Sequence, residues 1–183
     1  MKLNIFPTLI FFFLILPTLA SENNWNHAKE GNKIILIRHA LAPGNGDPKN
    51  FNIKDCSTQR NLNQQGIIQS KNLGKLFIEN KIRVDKVLSS EWCRCKDTAF
   101  HAFGEFQIFK GLNSTFTPPF DKNEKNQIRQ IKKYIQNWRS NNNNLVFVTH
   151  YSIITALTNA VPSSGEIVII DKNLEVLATI ETN

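Results

Sequence analysis

The sequence predicts an α/β fold: a three-layer sandwich with a mostly parallel central sheet flanked by helices. Two observations predict it. Short runs of branched apolar residues alternate along the chain with longer segments whose apolar residues recur at helical spacing. The runs KIILI (33–37) and LVFV (145–148) are almost wholly apolar instead of alternating, as expected of strands covered by helices on both faces.

Residues 1–20, MKLNIFPTLIFFFLILPTLA, stand apart. Lys2 precedes an apolar run centred on residues 11–16, and Thr18 and Ala20 fill the minus-three and minus-one positions of a cleavage before Ser21. This is the layout of a secretory signal peptide. An uncleaved anchor would need about 20 apolar residues, whereas Pro7 and Pro17 bracket a shorter run. Membrane contact is therefore expected only through this peptide before cleavage, and the mature protein is expected to be secreted, into a bacterial periplasm. Residues 21–32 are polar and read as a flexible lead-in; residues 33–183 read as one domain.

Within that domain KIILI is the first strand. Residues 40–61, with Pro43, Gly44, Gly46 and Pro48, form a loop of a length that is usually functional or disordered. Between positions 64 and 81, Ile67, Ile68, Leu73, Leu76 and Phe77 fall at helical spacing behind Asn63 as N-cap. VDKVLSS (84–90) is a second strand, and residues 91–103 are a helix stopped by Gly104. KNQIRQIKKYIQNW (125–138) puts Ile128, Ile131, Ile135 and Trp138 on one face of a basic amphipathic helix. Such a helix can lie on a membrane, but an outer helix with a solvated face is the favoured reading. LVFVTH (145–150) is a third strand, residues 151–159 a helix, and GEIVIID and LEVLATI two strands joined around Lys172 and Asn173.

The formal net charge is +7, which suits nucleic acid, anionic lipid, a small phosphorylated substrate, or solubility alone. Three cysteines, Cys56, Cys93 and Cys95, in an exported chain suggest one disulfide and one buried thiol. Cys56 with Cys93 is the preferred bridge and Cys56 with Cys95 the second; three reduced thiols are the alternative. No paired C-x-x-C and H-x-x-x-H spacing marks a metal site, so no metal or cofactor is expected.

Ligands of open α/β sheets bind beyond the carboxyl ends of the strands. Three strands here end in Arg38-His39, in Ser89-Ser90 shortly before Arg94, and in Thr149-His150. If they are parallel neighbours, two arginines and two histidines meet at one rim. Two guanidinium forks suit bidentate capture of an oxyanion. One neutral imidazole can attack phosphorus while another, cationic, stabilises the equatorial oxygens. Gly44 and Gly46 are followed by Lys49 where a dinucleotide fingerprint has its third glycine, and that motif is not used.

LIRHA (36–40), SSEWCRCKDTA (89–99) and VFVTH (146–150), with RNLNQQGIIQS between them, resemble in order the motifs of the histidine phosphatase superfamily, whose fold is phosphoglycerate mutase-like. The similarity spans about residues 33–180, and DCSTQRNL resembles small exported bacterial members. The resemblance implies His39 as nucleophile, Arg38 and Arg94 as phosphate clamps and His150 as the second pocket histidine. Arg60 could reach the substrate or pair with Asp55 or Asp47. Tyr151 stands where many members have glycine, so it narrows the pocket or stacks on the substrate. Ser114 stands where the mutase branch has its acidic glutamate, leaving Asp121 or Glu124 as candidate general acids, or solvated loop carboxylates. His27 and His101 have no motif context and are expected to be exposed.

The expected function is a phosphatase working through phospho-His39 on a small phosphorylated substrate, with no nucleic-acid partner. The alternatives are a phosphate-binding protein of the same fold without turnover, and a basic surface-binding protein. The sequon at Asn113 matters only on a eukaryotic secretory route.

Overall fold

The computed structural model describes residues 20–182; the signal peptide expected over 1–20 lies outside them except for Ala20. Helix α1 (Ala20–Glu30) occupies most of the stretch read as a flexible lead-in. Polar composition conceals two apolar residues three apart, Trp25 and Ala28, and both are buried. Trp25 meets Phe77 edge-to-face at 5.7 Å, and Asn24 donates to the Thr179 carbonyl. The packed indole explains why these residues are ordered against the domain.

The sheet is built from β1 (Ile34–Arg38), β2 (Val84–Ser89), β3 (Gln107–Ile108), β4 (Asn144–Thr149), β5 (Ile167–Ile170) and β6 (Val176–Ile180). Their spatial order is β3-β2-β4-β1-β5-β6. The first four neighbours pair in parallel, while β5 runs antiparallel to both β1 and β6. The sheet is mostly parallel, as the sequence predicts; the two-residue edge strand β3 is too short to show any periodicity. Helices α2 (Gln64–Glu79), α3 (Cys93–Phe103), α4 (Glu124–Asn137) and α5 (Tyr151–Thr158) complete the chain. Asn63 caps α2 by accepting from the Gly66 amide, and Gly104 ends α3 at φ 76°.

Alternate residues of the buried strands face opposite layers. Ile35, Ile37, Val87, Val146, Val148, Ile167 and Ile169 pack with α1, α2 and α3. Ile34, Leu36, Leu88, Leu145, Phe147, Val168 and Ile170 pack with α4 and α5. Of the apolar face expected on α4, Ile131, Ile135 and Trp138 are buried, so it is an outer helix of the domain. Among the described residues no helix is long and apolar enough to cross a membrane. A Cβ on Gly66 would stand 2.1 Å from the Leu41 carbonyl oxygen, so α2 presses its first turn against the chain leaving β1.

Candidate active site

The order β2-β4-β1, all parallel, brings three strand ends together. Arg38 closes β1 opposite Thr149 of β4, and the His39 amide donates to the Thr149 carbonyl at 2.9 Å. His150 follows as the N-cap of α5. The chain leaving β2 turns at Ser90 into α3, whose second residue is Arg94. A cavity of about 70 Å³ is lined by Arg38, His39, Arg94 and His150, together with Arg60 and Tyr151. The structure thus gathers six of the residues singled out in the sequence.

His39 and His150 are each only 3% exposed, and their rings meet edge-to-face at 5.5 Å. His39 Nδ1 lies 2.8 Å from the Ala40 carbonyl oxygen, which can only accept. Nδ1 therefore carries the ring proton and Nε2 presents the lone pair. Burial, then the Arg94 guanidinium, hold its pKa well below the ordinary value; Arg60 and Arg38 add to this, and the Ala40 carbonyl opposes it. Burial and Arg94 likewise hold His150 neutral, with His39, Arg60 and Arg38 contributing. This corrects the expectation of one cationic imidazole: a histidine out of water among three guanidinium groups does not keep a proton.

His150 Nε2 is 2.9 Å from Ser90 Oγ, and the Ser90 hydroxyl donates to Asn113 Oδ1 at 3.2 Å. With its proton so directed, Ser90 accepts from Nε2–H. Asn113 in turn donates to Glu91, so the amide of the sequon is engaged inside the fold. The Cys95 thiol, wholly buried and 3.4 Å from His150 Nε2, has its pKa pushed up to about 12 by burial and stays protonated.

The carboxylate of the cavity is Asp47, which the sequence offers only as a partner for Arg60. Instead it takes a fork from Arg94, at 2.7 and 3.3 Å, and accepts the Trp92 indole N–H and the Arg60 backbone amide. Burial raises the Asp47 carboxyl, but Arg94, Trp92 and the Arg60 amide outweigh it and hold its pKa below the usual value. The Arg60 side chain donates to the Gly46 and Ala42 carbonyls, while Asp55 caps Ser57. Neither expected ion pair of Arg60 forms. Asp121 is exposed and Glu124 accepts from Thr115; neither lines the cavity, where Ser114 does. His27 and His101 are half-buried rather than exposed. Asp47 is hidden from sequence reading because its partners lie 45 and 47 positions away and no motif marks it.

Two buried donors, Arg38 Nε and Arg94 Nε, have no partner. Orphaned guanidinium donors beside a cavity mark an oxyanion site. Three guanidinium groups against one carboxylate give the lining a net positive charge suited to a dianion. The volume is far below the roughly 300–1,000 Å³ of sites that enclose a drug-sized ligand, and fits a single phosphoryl group. Among the described residues no group of three or more His, Cys, Asp or Glu is placed to hold a metal ion.

The second disulfide alternative is excluded: Cys56 and Cys93 are bonded, with Cα atoms 5.7 Å apart, and Cys95 is free. Sequence leaves the choice open because Cys93 and Cys95 are two apart; the first turn of α3 points only Cys93 toward the loop.

The fold resembles a phosphoglycerate mutase from Thermus thermophilus at TM-score 0.56 and 14% identity, over 82% of this chain and 99% of that one. It resembles SixA from Agrobacterium tumefaciens at TM-score 0.55 and 16% identity over 82% and 99%. The protein histidine phosphatase SixA complexed with tungstate matches at TM-score 0.55 and 10% identity over 82% and 97%. No curated protein sequence matches the chain. A profile of the histidine phosphatase superfamily (branch 1) matches residues 34–143, from the strand that delivers Arg38 to the loop before β4. With that match over more than half of its length, the chain belongs to the histidine phosphatase superfamily, branch 1.

Proposed function

We propose that this protein is an exported, metal-independent phosphatase that hydrolyses a phosphomonoester or an activated phosphate through a phosphohistidine on His39. One observation carries the reading: a neutral His39, held by Nδ1–H on the Ala40 carbonyl, shares a phosphoryl-sized cavity with Arg38 and Arg94, each bearing an orphaned Nε donor. In the first step the His39 Nε2 lone pair attacks phosphorus, the N–P bond forms, and the bond to the leaving group breaks with its electron pair. The Ala40 carbonyl stabilises the positive charge on the imidazole, and the arginines take the equatorial oxygens. Water then attacks phosphorus, the N–P bond breaks, and inorganic phosphate leaves. Arg60 and Tyr151 line the same cavity, which supports their reading as substrate contacts.

Among the described residues the carboxyl that lines the cavity is Asp47, and Arg94 holds it ionised. Proton supply therefore falls to solvent, which favours leaving groups of low basicity. This supports activated phosphates over alkyl esters. The relative named as a protein histidine phosphatase, and its complex with the tetrahedral oxyanion tungstate, support the same class. Export is supported by the layout of residues 1–20 and by the disulfide, which persists in oxidising compartments.

The test is single-turnover incubation with a radiolabelled acyl phosphate and trapping of acid-labile, base-stable phosphoenzyme. Label is expected in the wild type and in His101→Ala, and absent in His39→Ala. Tight phosphate binding without label from any donor would favour the phosphate-binding protein that does not turn over, a reading suggested by the missing acid.

A further inference from the structure

The loop over residues 40–61 supplies Asn45, Gly46, Asp47 and Arg60 to the cavity, yet its regular structure is a single 3-10 turn (Cys56–Thr58) and one isolated bridge between Asn52 and Asp55. Few backbone bonds hold it to the sheet. Its start is held by the Ala40 amide on Thr98 and the Leu41 amide on Gln69, and Phe51 touches Phe120; its remaining ties concentrate on one short stretch, the three residues Trp92, Cys93 and Arg94 at the start of α3. Cys56 bonds covalently to Cys93. The Cys93 amide donates to Gln59 Oε1 at 3.0 Å. Phe51 stacks on Trp92 at 5.2 Å, and the Trp92 indole donates to Asp47. Arg94 forks onto Asp47 and donates to the Arg60 carbonyl at 3.3 Å.

We infer that the Cys56–Cys93 disulfide and Asp47 form a clasp that positions Arg94 and Arg60 for phosphate, so that the anion site is assembled fully only in the oxidised chain. This deepens the phosphatase reading and rests on its phosphate pocket. Arg94 is flanked directly by the bonded cysteine, and both of its terminal nitrogens donate to Asp47, one of them also to the Arg60 carbonyl, fixing the plane of the guanidinium. Its Nε alone is left without a partner. Opening the disulfide turns a loop pinned near both its ends into one pinned through non-covalent contacts only, and the entropy of that loop then opposes every contact that orders it. Cys56 is exposed, so a dithiol reductant reaches it: the disulfide takes two electrons and two protons to become two thiols, and the reductant closes to its own cyclic disulfide. The clasp thus couples the site to redox state. In a reducing compartment the chain keeps its fold and loses phosphate affinity.

The decisive measurements are calorimetric titration of the mature chain with inorganic phosphate and steady-state kinetics with an acyl phosphate, before and after reduction by a dithiol. Reduction is expected to weaken phosphate binding and raise KM roughly tenfold, with smaller change in kcat and with circular dichroism retained. Cys56→Ser is expected to bind weakly from the outset and to ignore the reductant. Asp47→Asn, measured with the disulfide intact, guards against loss of fold on reduction. Charge alone predicts that removing a carboxylate from the site tightens binding of a dianion; the clasp predicts that binding weakens, because the Arg94 fork is lost. Tighter or unchanged binding in Asp47→Asn, or unchanged phosphate affinity in the folded reduced chain, overturns the inference. Oxidised wild type that binds no phosphate overturns the pocket reading beneath it, whereas binding without phosphoenzyme leaves the clasp standing and removes only the catalytic reading.

Discussion

Lowering the pH from 7.5 to 5.5 should destabilise this fold through its two site histidines. His39 and His150 are buried and neutral, with pKa values well below the ordinary one because of burial and the Arg94 guanidinium. In the unfolded chain each returns to about 6.5. The unfolded state therefore binds more protons below that value, and stability falls with falling pH. The contribution is fully present above the unfolded pKa and is lost as pH drops toward the native one. The unfolded pKa alone sets a ceiling on this linkage of about 1.4 kcal/mol per histidine over the interval, or about 3 kcal/mol for the pair. That is a large part of a typical 5–15 kcal/mol stability. The interval stays above the range where Asp47, held low, takes up its proton. The assay is urea unfolding at pH 5.5, 6.5 and 7.5 for wild type, His39→Gln, His150→Gln and the double variant. Each single variant should lose less stability than the wild type between pH 7.5 and 5.5, and the double variant the least. A double variant with the wild-type slope, or a wild type equally stable at all three values, refutes the reasoning.

The same neutral imidazole places the acidic limb of kcat/KM below pH 6.5, since His39 keeps its lone pair where a solvated histidine is protonated; a limb at or above 6.5 in a pH–rate profile contradicts it. Asp121→Asn combined with Glu124→Gln should leave kcat/KM for an acyl phosphate within about twofold of wild type, because neither carboxylate lines the cavity and solvent supplies the proton. A loss of a hundredfold or more would identify one of them as the acid.

The helices and long strands are legible because their signals are local. Ile131, Ile135 and Trp138 repeat at helical spacing whatever surrounds them, and Asn63 caps the helix it precedes. Helix α1 escapes sequence reading for the complementary reason. Its apolar content is one Trp and two Ala, and only contact with Phe77 and β6 makes that enough. Strand β3 is two residues long and owes its existence to β2 alongside it.

By itself the sequence determined the sandwich, the three strands that carry Arg38-His39, Ser90 before Arg94, and His150, and the family to which those motifs belong. It did so because strand ends and motif spacing are properties of contiguous residues. The tertiary structure alone decided what those residues are in chemical terms. Packing removes both imidazoles from water beside three guanidinium groups and so makes them neutral. It selects Cys93 over Cys95 for the disulfide by the turn of a helix, and it sets Asp47 against Arg94 across 47 residues of chain. Burial, charge and geometry of this kind depend on neighbours distant in sequence, and no local pattern encodes them.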